Sequence, residues 1–171
     1  MTKMLLLAAV AAISVSVHAE VFTVPELGLS LDAPAGFATV PADIVAVKWK
    51  QPQGFVIGND RASTTITADL KKDAVRPDQV PAMEKALAGM LPRLFPGAQM
   101  VHDEVVTING RRWGQIEMTT RGVDTGIHNI MLVTSMSGRM LALNFNSVDR
   151  DFATMEAELR KSIASLKVSK P

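Results

Sequence analysis

Apolar and polar residues alternate through the second half of the chain, around two signals for tight turns. Asn109–Gly110 is the preferred residue pair of a two-residue type I′ turn, so it predicts a hairpin with Ile108 opposite Arg111. A second hairpin is predicted at Ser137–Gly138, with Met136 opposite Arg139. The first register also sets, further from its turn, the cross-strand pairs Val106 with Trp113 and His102 with Glu117.

Side chains alternate between the two faces of a strand, so the pairing of the two hairpins decides which residues share a core. The most continuous apolar face results when Ile116 and Met118 of the first hairpin lie on the same face as four apolar residues of the second hairpin. These four residues are Ile130, Leu132, Leu143 and Phe145. The reverse face is also partly apolar, which predicts that helices or loops cover both sides of the sheet. It holds Val106, Trp113, Met131, Val133 and Ala142.

The first half of the chain, after residue 19, reads as short strands separated by Pro and Gly. Several of these segments are rich in β-branched residues, which favour strands. The predicted strands are Val21–Val24, Leu29–Leu31, Val45–Trp49, Phe55–Gly58 and Ser63–Leu70.

Two segments have the apolar spacing of amphipathic helices. The first follows Asp78 as a predicted N-cap and ends or kinks near Pro92. Its buried stripe is predicted to be Val80, Met83, Leu87, Met90, Leu91 and Leu94. The second begins near Asp149 or Asp151, with a stripe of Phe152, Met155, Leu159, Ile163 and Leu166. Its residues Glu156, Glu158, Arg160 and Lys161 are expected to face water. The order of elements predicts an α+β fold, an antiparallel β-sheet flanked by helices.

The N-terminal segment has the pattern of a secretory signal peptide. Lys3 precedes an uncharged apolar run, and small residues lie at the two positions that signal peptidase reads in Val17-His18-Ala19. A retained membrane helix is the alternative, but it needs about 20 apolar residues, and this run is shorter and contains Ser14 and Ser16. We expect cleavage after Ala19, leaving residues 20–171 as a single periplasmic domain.

Charge and cysteine content narrow the function classes. The whole chain has 18 basic and 17 acidic residues, and residues 1–19 hold one Lys and no acid. Residues 20–171 therefore hold 17 basic and 17 acidic residues. A net charge of zero argues against nucleic-acid binding, which requires a basic surface. The chain has no Cys, which excludes a lipidated N-terminal Cys, so no stable membrane anchor is expected.

These features together resemble the DcrB/PsbP-like group. The shared pattern is the Pro-Gly turn in Leu31-Asp-Ala-Pro-Ala-Gly-Phe37, a central helix, the meander with its two turns, and an amphipathic helix that closes at Ser165-Leu166. The resemblance implies an α/β/α sandwich and a non-enzymatic binding or accessory role. The chain differs from the group's envelope lipoproteins in lacking the lipidated Cys, and from its cytoplasmic chaperones in having a signal peptide.

No catalytic or metal-binding motif is visible in the sequence. Neither a G-x-S-x-G elbow nor a phosphate-binding Gly-rich loop occurs, and catalysis by Cys is excluded. In the register chosen above, His102 and His128 point through opposite faces of the sheet and could not share an ion. We therefore predict no catalytic residue, no metal and no cofactor.

Arg111, Arg112 and Trp113 are the candidate binding residues, because they follow directly on a tight turn and Arg and Trp are typical anchors of interfaces. The alternative, which is favoured, is that Trp113 is buried in the secondary core over Val106 while the arginines solvate the turn. Trp49 is a further candidate, on a possible edge strand between lysines that would protect the edge.

Two functions follow as hypotheses. The first is a non-enzymatic, soluble periplasmic accessory protein that docks an envelope protein or a small apolar ligand. The second is a periplasmic hydrolase whose acids and hydroxyls converge only in the folded protein. The missing motifs, the neutral charge and the resemblance all favour the first.

Overall fold

Two antiparallel sheets and three helices form the part of the chain that the computed structural model describes, residues 20–49, 54–95, 97–122 and 124–169. The predicted signal peptide, residues 1–19, lies outside the described residues. The helices are α1 (Ala42–Lys48), α2 (Val80–Leu94) and α3 (Asp149–Ser165). The strands are β1 (Glu20–Val24), β2 (Leu29–Ala33), β3 (Ala38–Thr39), β4 (Phe55–Gly58), β5 (Thr64–Ala74), β6 (Gln99–Ile108), β7 (Arg111–Arg121), β8 (Gly126–Met136), β9 (Arg139–Val148) and β10 (Lys167–Val168).

A seven-stranded sheet is the central layer, in the order β3-β4-β5-β9-β8-β7-β6. The predicted meander β6 to β9 forms one half of it, and β9 joins the meander to β5. Helix α3 and the small sheet β1-β2-β10 cover one face, here called the α3 face. Helices α1 and α2 cover the other, the α2 face. The predicted antiparallel sheet with helices on both sides, an α/β/α sandwich, is confirmed.

Both predicted hairpins form with the predicted registers. Ile108 lies opposite Arg111, and Met136 lies opposite Arg139. Asn109 and Gly110 have φ values of 47° and 79°, the positive values that a type I′ turn requires. The pairs Val106 with Trp113 and His102 with Glu117 are also present, although the ladder shifts between Met100 and His102.

The predicted alignment of the two hairpins is wrong by one residue. Glu117, not Ile116, shares a face with Ile130, because these two residues are direct cross-strand partners. Ile116 and Met118 therefore lie on the α2 face, where they pack with Leu91 of α2. The α3 face instead gains the large ring of Trp113, which joins Ile130, Leu132, Leu143 and Phe145 in the main core.

The predicted strand Val45–Trp49 is also wrong, because this segment belongs to helix α1 and its C-cap. Val45 and Trp49 lie four residues apart, so the helix brings both side chains to one face. There they pack with a small cluster of Val40, Val56 and Ala62. The local preference of β-branched residues for a strand is weak, and the burial of these side chains outweighs it.

Helix α2 begins later than predicted and buries a different set of residues. A short 3₁₀ turn at Pro77–Gln79 precedes it, and Asp78 pairs with Arg76 instead of capping the helix. Met90 and Leu94, predicted to be buried, are 44% and 59% exposed. The helix contains Pro92 and ends at Leu94, close to the predicted end.

Helix α3 follows its prediction closely. It begins at Asp149, and its apolar stripe packs on the main core, with Leu159 and Ile163 buried and Phe152 and Met155 half-buried. Leu166, the residue after the helix, is buried in the same core. The amphipathic period of the sequence was therefore a sufficient guide to this element.

Candidate functional site

A cleft of about 660 Å³ opens at the end of the large sheet where both hairpin turns lie. It is bounded by the 3₁₀ turn before α2, by the first residues of β7, and by the chain segment that follows α3. We call it the hairpin-end cleft. Its apolar lining includes Val80, Ile108, Trp113, Leu166 and Val168. The predicted residues Arg111, Arg112 and Trp113 all line it.

Trp113 is 1% exposed and belongs to the main core, opposite Val106. Its burial over Val106 agrees with the favoured alternative, but its position does not, because Trp113 lies in the main core and not in the secondary one. The indole Nε1 is buried and has no hydrogen-bond partner among the described residues. An indole N–H can only donate, so this atom is an unsatisfied donor in the main core.

The two arginines behave differently. The guanidinium of Arg111 donates from Nη1 to the carbonyl oxygen of Ser135 at 2.5 Å, which ties it to β8. Arg112 is exposed, and its guanidinium has no hydrogen-bond or ion-pair partner among the residues the structure describes. Arg112 is therefore the cation at the cleft that remains available to a ligand.

Trp49 is not part of this site. It lies at the C-cap of α1 and lines a second cleft of about 640 Å³, which shares no lining residue with the hairpin-end cleft. The structure thus brings together three of the four predicted binding residues and separates the fourth. Sequence reasoning grouped Trp49 with the others only by residue type.

A charged network lies beneath α3, next to the main core. Glu117 is 5% exposed, and its Oε1 lies 2.6 Å from Nε2 of His128. Nη2 of Arg160, on α3, donates to both oxygens of Glu117 at 3.1 Å and also contacts Glu156 at 2.8 Å. The imidazole of His128 stacks on Phe152, with ring centroids 3.5 Å apart. This network fixes α3 to the sheet through charge-assisted hydrogen bonds.

Arg160 is exposed, as predicted, but Nη2 of its guanidinium also reaches inward to the buried Glu117. Burial lowers the pKa of Arg160, but hydrogen bonds to Glu156 and Glu117 outweigh this and raise it. The signal in the sequence was Glu117 itself, a charged residue directly between the apolar residues Ile116 and Met118. Such a residue, once buried, requires a cationic partner.

The predicted separation of the two histidines is also wrong. His102 is the partner of Glu117 and His128 the partner of Thr119, so both histidines lie on the α3 face. His102 nevertheless pairs with Glu104, at 3.1 Å, whereas His128 binds Glu117. No group of three His, Asp or Glu residues suited to a metal ion occurs within the described ranges.

The His128–Glu117 pair is the arrangement most like a catalytic one, but its surroundings do not resemble an active site. Ser147, opposite His128 on β9, is fully buried. Its hydroxyl is within 2.9 Å of the Thr64 hydroxyl and contacts the carbonyl oxygen of Val148. A nucleophile must be reachable by substrate, so this serine is better explained as part of the core.

Glu84 is a second buried acid, which the sequence did not predict. It lies on α2, is 4% exposed, and its Oε1 has no hydrogen-bond partner among the described residues. Burial raises the pKa of the Glu84 carboxyl above 4.5, and the neighbouring Asp103 raises it further, while Lys85 opposes the change. The charged form of Glu84 is thus disfavoured in the folded protein.

Glu84→Gln is expected to stabilise the protein at neutral pH by about 1 kcal/mol, because it removes the cost of a buried, poorly satisfied carboxylate. A raised folded-state pKa means that wild-type stability from this group is highest below pH 4.5 and falls as the pH rises through the folded value. Urea unfolding of both proteins from pH 4 to 8 checks this. The difference in the free energy of unfolding between the two proteins should grow with pH. A difference that stays constant across this range would contradict the prediction.

No helix within the described residues is long and apolar enough to cross a membrane. No family model matches the chain, and no curated protein matches it in sequence. Solved structures do match. Cyanobacterial PsbP from Synechocystis superposes with a TM-score of 0.62 at 12% identity, covering 95% of this chain and 98% of that one. The fold is PsbP-like.

Two other structures share this PsbP-like fold. LpqN of Mycobacterium tuberculosis, described as involved in cell envelope biogenesis, gives a TM-score of 0.57 at 17% identity, covering 84% of this chain and 83% of LpqN. A Bacteroides thetaiotaomicron protein superposes with a TM-score of 0.60 at 13% identity, covering 90% of this chain and 49% of the Bacteroides chain. At these identities the likeness establishes the fold, and the predicted resemblance to the DcrB/PsbP-like group is confirmed at that level.

Proposed function

We propose that this protein is a non-enzymatic binding protein of the bacterial periplasm, which holds a small ligand with an apolar body in the hairpin-end cleft. The observation that carries the proposal is the cleft itself. It is large enough for a small organic molecule, since ligand sites typically have volumes of about 300–1,000 Å³. Between the two partner classes predicted from the sequence, a concave apolar cleft favours the small ligand.

Among the described residues, no catalytic arrangement opens into the cleft, and this supports a binding role. The buried pair His128–Glu117 is held by Arg160 and lies under α3, whereas the cleft lies at the hairpin end of the sheet. None of the described residues that line the cleft is His or Glu, and the one acid among them, Asp78, is paired with Arg76. A site of this composition can orient a ligand but has no evident general base.

Export to the periplasm rests on the N-terminal pattern of residues 1–19, an expectation from the sequence. Two features are compatible with it: LpqN, a fold neighbour, is described as involved in cell envelope biogenesis, and no membrane-spanning helix occurs in the described residues.

One experiment tests location and binding together. The protein is purified from the periplasmic extract of an expressing Gram-negative cell, where its N-terminal sequence should begin at Glu20. It is then titrated with the uncharged apolar dye N-phenyl-1-naphthylamine. We expect saturable enhancement of dye fluorescence with one site per chain, which Val168→Trp weakens at least tenfold by filling the cleft.

Val21→Trp is the matched control, because Val21 is also a strand valine but is 64% exposed and does not line the cleft. It should bind the dye like the wild type. Equal loss in both variants, or no saturable binding by the wild type, would overturn the binding role of the cleft.

A further inference from the structure

We propose that β6 pairs with β6 of a second copy of this chain, antiparallel about a two-fold axis at Val105, so that the large sheet continues through both molecules. This surface lies along the outer edge of β6 and does not depend on the proposed function of the hairpin-end cleft. Three features of β6 support it: an uncovered edge, backbone groups that point outward, and a sequence that is complementary to itself.

The outer edge of β6 is uncovered in the part of the chain that the structure describes. β6 has ten residues and ends the order of the large sheet, whereas the opposite edge, β3, has two residues. Natural edge strands are commonly protected by Lys, Pro or a very short length. β6 contains neither Lys nor Pro, and Val105 within it is 39% exposed. Its ladder with β7 is irregular between Met100 and His102 but regular from His102 to Ile108.

Backbone groups of this regular part point away from the sheet. In a two-residue hairpin, the residues that flank the turn exchange both backbone hydrogen bonds, so Ile108 is bonded to Arg111. Bonded and non-bonded pairs then alternate along the strand, and Asp103, Val105 and Thr107 direct their N–H and C=O groups outward. Among the described residues, these outward groups have no backbone partner. A second strand can therefore bind here without breaking an existing hydrogen bond.

The three outward residues are complementary to themselves in an antiparallel pair. With Val105 on the two-fold axis, its side chain contacts the same side chain of the second copy, and Asp103 lies opposite Thr107. The carboxylate of Asp103 can accept a hydrogen bond from the hydroxyl of Thr107. These side chains share the α2 face, because the partner of Asp103 on β7 is Ile116. The apolar contact on the axis is thus flanked by two polar ones.

Charge complementarity on the α3 face favours a second copy over an unrelated strand. In this register, Glu104 lies opposite Val106 of the second copy. Val106 and Arg160 together line a small cleft of about 290 Å³ at this edge. The carboxylate of Glu104, which is 46% exposed, is therefore brought to the side of the sheet on which the Arg160 guanidinium lies. The two-fold axis repeats this arrangement, so opposite charges face each other twice across the interface.

The same charges exclude the neighbouring register. An axis at Asp103 would set two carboxylates directly opposite each other, which is destabilising. It would also include the irregular part of the ladder between Met100 and His102. A single pair of strands is smaller than a standard interface of about 1,200–2,000 Å², so we expect weak association, with a dissociation constant on the order of 100 µM. Dilute protein should therefore be monomeric.

Disulfide trapping tests the position of the axis, because the chain has no Cys and a single one can be introduced. Val105→Cys should cross-link two molecules when concentrated protein is oxidised, since the paired Cα atoms lie about 5.5 Å apart. Thr107→Cys is the matched control, an exposed residue of the same strand. Its two copies lie roughly 14 Å apart along the paired strands, too far for a disulfide. The cross-linked fraction should be about fivefold larger for Val105→Cys.

Sedimentation velocity measures the association itself, across a concentration series that brackets the expected dissociation constant. The wild type should change from monomer to dimer. Val105→Lys should weaken association about tenfold or more, because two like charges then face each other on the axis. Val21→Lys is the matched control, an exposed valine on β1 at the edge of the small sheet, and should dimerise like the wild type. Thermal unfolding of each variant shows that it remains folded.

Each result decides for or against the second copy. A wild type that stays monomeric throughout the series, or a Val105→Lys variant that associates like the wild type, would overturn the proposal. Equal cross-linking of Val105→Cys and Thr107→Cys would also overturn it, because the axis would then not lie at Val105. Binding of N-phenyl-1-naphthylamine should be the same in Val105→Lys and the wild type, so failure of the dimer and failure of the proposed function are separate results.

Discussion

Gly114→Ala is expected to lower the free energy of unfolding by about 3 kcal/mol, the upper part of the range for overpacking a well-packed core. Gly114 lies on β7 beneath α2. An added Cβ would be 2.5 Å from Cβ and 2.8 Å from Cγ of Glu84, and 3.0 Å from the side chain of Val133. The Cβ of Glu84 is fixed to the helix backbone, so no side-chain rotation relieves the contact. Helix α2 must move away from the sheet.

Gly89→Ala is the matched control. Gly89 is an exposed glycine within α2, and nothing lies within 4 Å of its added Cβ. Alanine should stabilise the helix there by about 0.5–1 kcal/mol. Urea unfolding measures both changes. A second test is the double variant Glu84→Gly with Gly114→Ala, which should lose less stability than the sum of the single variants. Additive losses would show that the contact with Glu84 is not the cause.

Glu117→Ala is expected to cost about 2–3 kcal/mol, because it leaves Arg160 and His128 without their shared acceptor in a partly desolvated site. The value lies below that of a fully buried pair, since the side chain of Arg160 is 42% exposed and keeps its contact with Glu156. The loss should appear as a lower urea midpoint at pH 7. The anchoring of α3 on the sheet depends on this carboxylate.

Glu104→Ala is the control for Glu117→Ala. Glu104 also pairs with a histidine, His102, but both side chains are about half exposed, at 46% and 52%. An exposed pair contributes about 0–1 kcal/mol, so this variant should be close to the wild type. Equal effects of the two substitutions would mean that burial does not strengthen the Glu117 network.

The hairpins could be predicted in residue detail because their determinants are local. A two-residue turn at Asn109–Gly110 permits only one pairing of its flanking strands, so Trp113 opposite Val106 followed directly. The position of Arg111, Arg112 and Trp113 at the hairpin end of the sheet followed from the same turn. What sequence reasoning could not supply was the other wall of the cleft, formed by Val80 and Leu166 from distant segments.

The alignment of β7 with β8 could not be predicted in the same way. These strands are joined by residues 122–125, which have no tight-turn signature, so only the apolar pattern was available to choose the register. That pattern favours a core that excludes Glu117. The folded chain accepts Glu117 because His128 and Arg160 satisfy its carboxylate, an arrangement that arises only after α3 has packed.

Local sequence patterns were enough to predict the antiparallel meander, the long helices α2 and α3 and the likeness to the PsbP-like fold, because turn geometry and helical period act between neighbouring residues. Contacts between distant segments set which face of the sheet holds Trp113, that Val45–Trp49 joins a helix and its C-cap, and which segments meet at the hairpin-end cleft. These outcomes depend on burial and on partners far apart in the chain. Pairwise contacts between distant segments outweigh local preference wherever a large side chain or a charge must be buried.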